Sequence, residues 1–375
     1  MKELMPMNKL RETVPPYAQT TVWAPGEGDV MTHMVFGLAV SMKGTILAFA
    51  EARIHYADHG PHHLVLKRST DGGATWEAAQ RIEMSEDGEC WANPTALSDR
   101  VTGKLFVFYA LNAHNVSTRM FFKVSSDDGL TWSERTEVTG LLQQSNRYGW
   151  TLFLPGPGHG LQLRDGRLVL QYWARKDIAL PAAERCYGNG VLYSDNHGAT
   201  WQAGGVVPLV PELGNNESRL VELESGALLL NARVNGLRHR VISVSSDRGL
   251  TWSQPYSDTA FPARWGCDSG LASWSGQEPA SGAPVWLYST IKGKRPDPDN
   301  ALEVSISYDE GASWTTQKDV FRGPCNYSDV AVMPDSIVVL IGAGAYELSP
   351  GFAKEVVLVR MSFDWLVRTN TENYI

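Results

Sequence analysis

SSDDGLTW, residues Ser125–Trp132, is one of five near-copies of a single eight-residue box. The others read STDGGATW (Ser69–Trp76), SDNHGATW (Ser194–Trp201), SSDRGLTW (Ser245–Trp252) and SYDEGASW (Ser307–Trp314). A pattern that returns along a chain marks one supersecondary unit used repeatedly. Each box has the chemistry of a hairpin tip. Its Asp or Asn accepts from backbone N–H groups just downstream, and its Gly suits a positive φ that other residues adopt only at a cost. The Ser and Thr hydroxyls satisfy further backbone groups, and the Trp lays an apolar ring over neighbouring strands. Runs such as HHLVLKRS, MFFKVS, HRVISVS and LEVSIS precede the boxes and are rich in apolar and β-branched residues, as strands are.

The box Asp/Asn positions (Asp71, Asp127, Asn196, Asp247, Asp309) are 56, 69, 51 and 62 residues apart. That exceeds the roughly 40–50 residues of a four-stranded propeller blade, so longer loops are expected at one end of each unit. Dividing the 375 residues by the mean interval gives about six units. The expected fold is an all-β, six-bladed β-propeller with five boxes. Its sixth, degenerate unit would combine an N-terminal strand with the C-terminal run KEVVLVRMSF. Residues 1–24 carry no repeat and are assigned to an N-terminal extension, with 25–375 as a single propeller domain.

The net charge of −8 argues against nucleic acid and an anionic membrane surface as partners. No apolar run approaches the roughly 18 residues of a membrane span. MKELMPMNKLRETVPP lacks the apolar core of a secretory signal, so a cytoplasmic location is expected. Cys90, Cys186, Cys267 and Cys325 are far apart and match no metal spacing, which makes them free thiols. The histidines His59, His62, His63 and His159 show no metal-binding spacing either, and no metal or other cofactor is expected.

Charged or polar residues inside otherwise apolar stretches mark where loops converge on a propeller axis. Four segments qualify: GTILAFAEARIHYADHG with Arg53 and Asp58, CWANPTALSDRVTG with Asn93, NNESRLVELESGALLLNARVNG with Glu217 and Arg233, and GPCNYSDVAVMPD with Tyr327. These segments, the GPGHGLQLRDGRLV run from Gly156 and the boxes resemble the sialidase (neuraminidase) superfamily from about Gly37 to Leu366. The resemblance implies an exo-glycoside hydrolase that removes a terminal sialic acid or related acidic sugar from a glycan, with retention. It makes Tyr327 the nucleophile, Glu217 the base that takes its proton, and Asp58 the acid/base. A phenol is a weak nucleophile at its free pKa near 10 and needs such a base. Beside a substrate carboxylate it avoids the repulsion an anionic nucleophile would meet, and sialidases are the known Tyr exception among glycosidases. Arg233 would hold the substrate carboxylate, with Arg53, His59, Asn93 and Arg295 as further substrate-binding residues.

The chain departs from the family at that carboxylate. Met34 stands where the first of three arginines is expected, and Asp299 stands near the third. LIGAGA replaces the stretch that normally carries a Glu supporting the first arginine. Hydrogen bonds to charged groups contribute about 1.5–3 kcal/mol each, so two lost arginines remove about 3–6 kcal/mol of recognition. Lys292, Lys294 and Arg295, just upstream of Asp299, are the candidate replacements. Two other functions fit the same fold: a propeller lyase or hydrolase acting on uronate- or neutral-sugar-containing polysaccharide, and a non-catalytic glycan-binding propeller.

Overall fold

The computed structural model describes residues 15–234, 238–263, 265–274, 284–347, 349 and 351–368. Its secondary structure is almost wholly antiparallel β. Three sheets have four strands, one has five and one has nine. The nine-stranded sheet is two four-stranded meanders plus Gly158–His159, which pairs parallel with Cys90–Ser98. Thr32–Val40, Ile46–Arg53, His62–Ser69 and Gln80–Glu83 form one, and Cys90–Ser98, Leu105–Ala113, Ser117–Ser125 and Thr136–Glu137 the other. A parallel pair, His62 opposite Cys90, joins them. Later meanders begin at Leu152–Pro155, Asn215–Glu222 and Gly270–Trp274. The remaining sheet runs Cys325–Val332, Ile337–Ala343, Glu355–Met361 and then Tyr17–Trp23. The fold is an all-β propeller.

The extension assigned to residues 1–24 is corrected in part. Tyr17–Trp23 is a strand that pairs antiparallel with Glu355–Met361, and Trp23 is buried. The β-branched run Thr20, Thr21 and Val22 before a buried Trp suits a strand closing a sheet edge. The first fourteen residues of that assignment lie outside the described residues.

The boxes have the expected geometry. Ser125 Oγ donates to Asp127 Oδ1 (2.8 Å) and accepts from Gly129 N–H (2.9 Å), while Thr131 N–H and Oγ1 donate to the two Asp127 oxygens (2.9 and 2.5 Å). In the third box Asn196 takes the acid's place, and its Nδ2 donates to Thr200 Oγ1 (2.8 Å). Gly129 has φ +78°, and a Cβ there would lie 2.5 Å from Leu47 Cδ2 of the preceding meander. The box is therefore a joint between units as well as a turn.

Register places the two ends of the molecule. Ser69, where the first box begins, pairs with Ile46, which pairs with Val40. At the other end Arg53 pairs with both Thr32 and His62. The boxes thus lie at the far end from the loops that carry Asp58. Near the axis the innermost strands nearly touch, since a Cβ on Gly37 would lie 2.9 Å from Pro94 O and 3.0 Å from Gly158 O. Only a residue without a side chain fits there.

Candidate active site

Four innermost strands carry a register shift near their N-terminal ends: at Met34/Phe36, Ala92/Thr95, Asn215/Ser218 and Cys325/Ser328. A bulge adds a residue to one strand and re-aims the side chains around it. Here the bulges coincide with the Met34-Val35, Asn93-Pro94, Asn216-Glu217 and Asn326-Tyr327 doublets. Val35 (φ 51°) and Asn93 (φ 57°) adopt left-handed backbone, which is costly for a β-branched residue. Such local strain concentrates where function needs a side chain in one place.

Two of these bulges bring Glu217 and Tyr327 together. The Tyr327 hydroxyl donates to Glu217 Oε1 at 2.5 Å. Arg233 Nη1 donates to the Tyr327 oxygen (2.8 Å) and to Glu217 Oε2, while its Nε donates to Gly266 O (3.0 Å). Both Tyr327 and Glu217 are buried. Burial, and then the Glu217 charge, push the Tyr327 phenol well above its ordinary value, so it stays neutral until a base removes its proton. Burial alone would lower the Arg233 pKa, but Glu217 and Tyr327 hold it well above normal.

Arg295 joins this group, with its guanidinium carbon 5.4 Å from the centroid of the Tyr327 ring. Lys294, its neighbour, turns instead to Trp265, 5.8 Å from that ring. Lys292 pairs with Asp319 (2.9 Å). Asp299 is exposed, with its N–H tied to Asp297 Oδ1 (3.0 Å). Of the three basic candidates, Arg295 is the one that faces the tyrosine. Two guanidinium groups against one carboxylate give the surroundings of Tyr327 a net positive charge suited to an anion.

Met34 is buried, and its sulfur lies 3.6 Å from Asn326 Nδ2 and 3.5 Å from Ala353 N. A side chain on Gly342, within the LIGAGA stretch, would collide with Asn326 Oδ1, an acceptor left without a partner. Methionine, asparagine and glycine thus pack together around Asn326, the residue before Tyr327.

Asp58 sits on the loop between Ile46–Arg53 and His62–Ser69, with its side chain 76% exposed. Arg53 Nη1 donates to Asp58 Oδ1 (2.6 Å), while Nε and Nη2 donate to Glu51 Oε2 (2.9 and 2.6 Å). Partial desolvation raises the Asp58 pKa, but the charge and hydrogen bond of Arg53 outweigh it, and the net shift is downward. Glu51 is fully buried and its other oxygen accepts from Asn93 N–H (2.8 Å).

Two sequence candidates turn elsewhere. His59 is exposed and faces Asn115 Nδ2 (3.4 Å) and the His114 ring (6.5 Å). Asn93 is buried and spends its side-chain amide on Pro155 O (3.2 Å), so it ties meanders together. Sequence reading missed a buried charge cluster directly after Glu217. Arg219 Nη2 donates to Asp268 Oδ2 (2.6 Å), its Nε lies 3.5 Å from Asp329 Oδ1, and His159 Nδ1 is 2.9 Å from that same oxygen. The signal was present as charges inside the apolar runs SRLVEL and YSDVAV.

A family model described as a BNR repeat-like domain matches residues 44–340. The chain is 28% identical over 357 residues to a sialidase of Micromonospora viridifaciens, covering 87% of this chain and 52% of that protein. It is 30% identical over 295 residues to Homo sapiens sialidase-4, covering 71% and 59% respectively. It therefore spans little more than half the length of these two relatives. Among solved structures, the Hadza microbial sialidase Hz136 matches with a TM-score of 0.76 at 22% identity, over 93% of this chain and 69% of that one. With a BNR repeat-like match across most of its length and these relatives beside it, the chain is a member of the sialidase superfamily.

Proposed function

We propose that this protein is a retaining exo-glycosidase that removes a terminal acidic sugar, sialic acid first among them, from a glycan. The observation that carries the reading is the contact of Tyr327 Oη with Glu217 Oε1 at 2.5 Å, bridged by Arg233. In the first step Asp58 gives its proton to the glycosidic oxygen as the bond to the anomeric carbon breaks. Tyr327 Oη attacks that carbon and passes its own proton to Glu217. In the second step Asp58 takes a proton from water, which displaces the tyrosine, and Glu217 returns the phenolic proton. Arg233 and Arg295 would hold the substrate carboxylate in place of the family's three arginines. Asp58 must leave Arg53 to act, because a carboxyl held ionised by a guanidinium has no proton to give.

The fold reading that goes with this is six meander blades, five of them boxed, with the ring closed by Tyr17–Trp23. The two meanders within the nine-stranded sheet and the pairing of first and last strands support it.

The test is release of 4-methylumbelliferone from its α-sialoside. Wild type is expected to release it, and Tyr327→Phe and Glu217→Gln to lose at least about 100-fold in kcat. No release by wild type removes sialic acid as the sugar, and equal release by Tyr327→Phe removes the nucleophile. Met34 favours extending the assay to the matching β-glucuronide, since a pocket short of one arginine suits a different acidic sugar.

A further inference from the structure

The loop that carries Asp58 is held by groups the proposed chemistry does not use. His62 is fully buried at the start of the strand after the loop, and its Nε2 lies 2.9 Å from Ala57 O. Its Nδ1 is 3.4 Å from Cys90 Sγ, on the first strand of the next meander. Asn112 Nδ2 donates to Asp58 O (3.4 Å), and Arg53 Nη1 donates to Tyr56 O (3.2 Å). The carbonyls of residues 56, 57 and 58 are therefore each gripped by a side chain from the folded sheet. Tyr56 packs on Phe352 from the other side, with ring centroids 4.9 Å apart.

We infer that His62 is a positioning residue for Asp58, locking the loop through the bond between its Nε2–H and Ala57 O. The inference rests on the reading of Asp58 as the proton donor. His62 Nδ1 also lies 3.6 Å from Glu51 Oε2, and Cys90 Sγ lies 3.6 Å from Asp58 O. A bond to a carbonyl oxygen requires a proton on Nε2, and a neutral imidazole then presents a bare Nδ1 that accepts from the Cys90 thiol. Burial, and then Arg53, lower the His62 pKa to about 3, so the ring is neutral at any working pH. Burial likewise raises the Cys90 pKa, and the thiol keeps its proton. Arg53 holds the Asp58 carboxylate, but that contact must break for proton transfer. The backbone grip through His62 survives it and keeps the carboxyl aimed. Misplacing a catalytic group by about 1 Å costs on the order of 100-fold, so the grip has a measurable consequence.

The test separates aiming from folding by leaving group. 4-Methylumbelliferone departs readily without a proton, whereas the lactose of 3′-sialyllactose needs one. His62→Ala is expected to slow lactose release about 10–100-fold and 4-methylumbelliferone release less than about 3-fold, matching the split shown by Asp58→Asn. His62→Gln, which retains an N–H donor at similar reach, should restore most of the loss on lactose. Equal slowing of both substrates by His62→Ala overturns the inference, since a merely destabilised protein loses both alike. Amide hydrogen exchange across residues 54–61 gives a readout independent of turnover. His62→Ala should speed it at least about tenfold while strands Leu105–Ala113 and Ile337–Ala343 are unchanged. Unchanged loop exchange also overturns the inference. If wild type turns over neither substrate, the proposed function fails, and exchange alone decides whether His62 holds the loop.

Discussion

Met34 shows how one residue sets the chemistry of its neighbours. Its thioether is buried against Asn326 and the Ala353 amide, and its register partner Glu51 already serves Arg53 and Asn93. Restoring an arginine at this position does not restore an arginine site. Met34→Arg would bury a guanidinium opposite Glu51, whose two oxygens are already taken by Arg53 and Asn93. The expected cost is at least about 2–3 kcal/mol in urea unfolding, with no fall in KM for a sialoside. Met34→Leu, similar in volume, should cost less than about 1.5 kcal/mol. The segments that bring Tyr327, Glu217 and Arg233 together were legible in the sequence, because each sits in a contiguous motif. What packs against Met34 was not. Asn326, against which Gly342 fits, meets Met34 only through a fold that brings together strands about 300 residues apart in sequence, and no local pattern encodes that meeting.

Among elements, the box and the bulge divide the work. The box glycine fits against the preceding meander, as Gly129 does against Leu47. Gly129→Ala would place a Cβ in left-handed backbone and press it on that leucine. The expected loss is about 2–4 kcal/mol in chemical denaturation, combining backbone strain and overpacking. Turnover per folded molecule should be unchanged, because the boxes lie at the end away from Asp58. The boxes were plain in the sequence because their hydrogen bonds close within five residues. The bulges were not, although an Asn opens the doublet in three of them. A bulge is a property of two paired strands, and a single strand's sequence shows only a polar doublet in an apolar run.

Across the whole molecule, buried neutral histidines make stability depend on acid. Burial lowers the His33 pKa to about 4, and the ring stacks on Trp23 with centroids 5.2 Å apart. Because the folded pKa lies below the unfolded one, the unfolded chain binds more protons between about pH 4 and 6.5. Stability is full above that window and falls as pH drops through it. Lowering pH from 7 to 5 should cost about 2 kcal/mol through His33, with His62 acting in the same direction. Thermal unfolding of His33→Gln across this range is expected to show a shallower acid slope than wild type.

Closure by Tyr17–Trp23 bears on how the chain is made. Tyr17–Trp23 leaves the ribosome long before its partner, Glu355–Met361. At about 5–20 residues per second, Tyr17–Trp23 waits on the order of 20–70 s for that partner to be synthesised. Throughout that interval the nascent chain carries an unpaired strand ending in an apolar Trp, open to pairing with a neighbour on the same message. The ring is therefore completed only once Glu355–Met361 has been made, and until then that one strand depends on other parts of the chain for shielding.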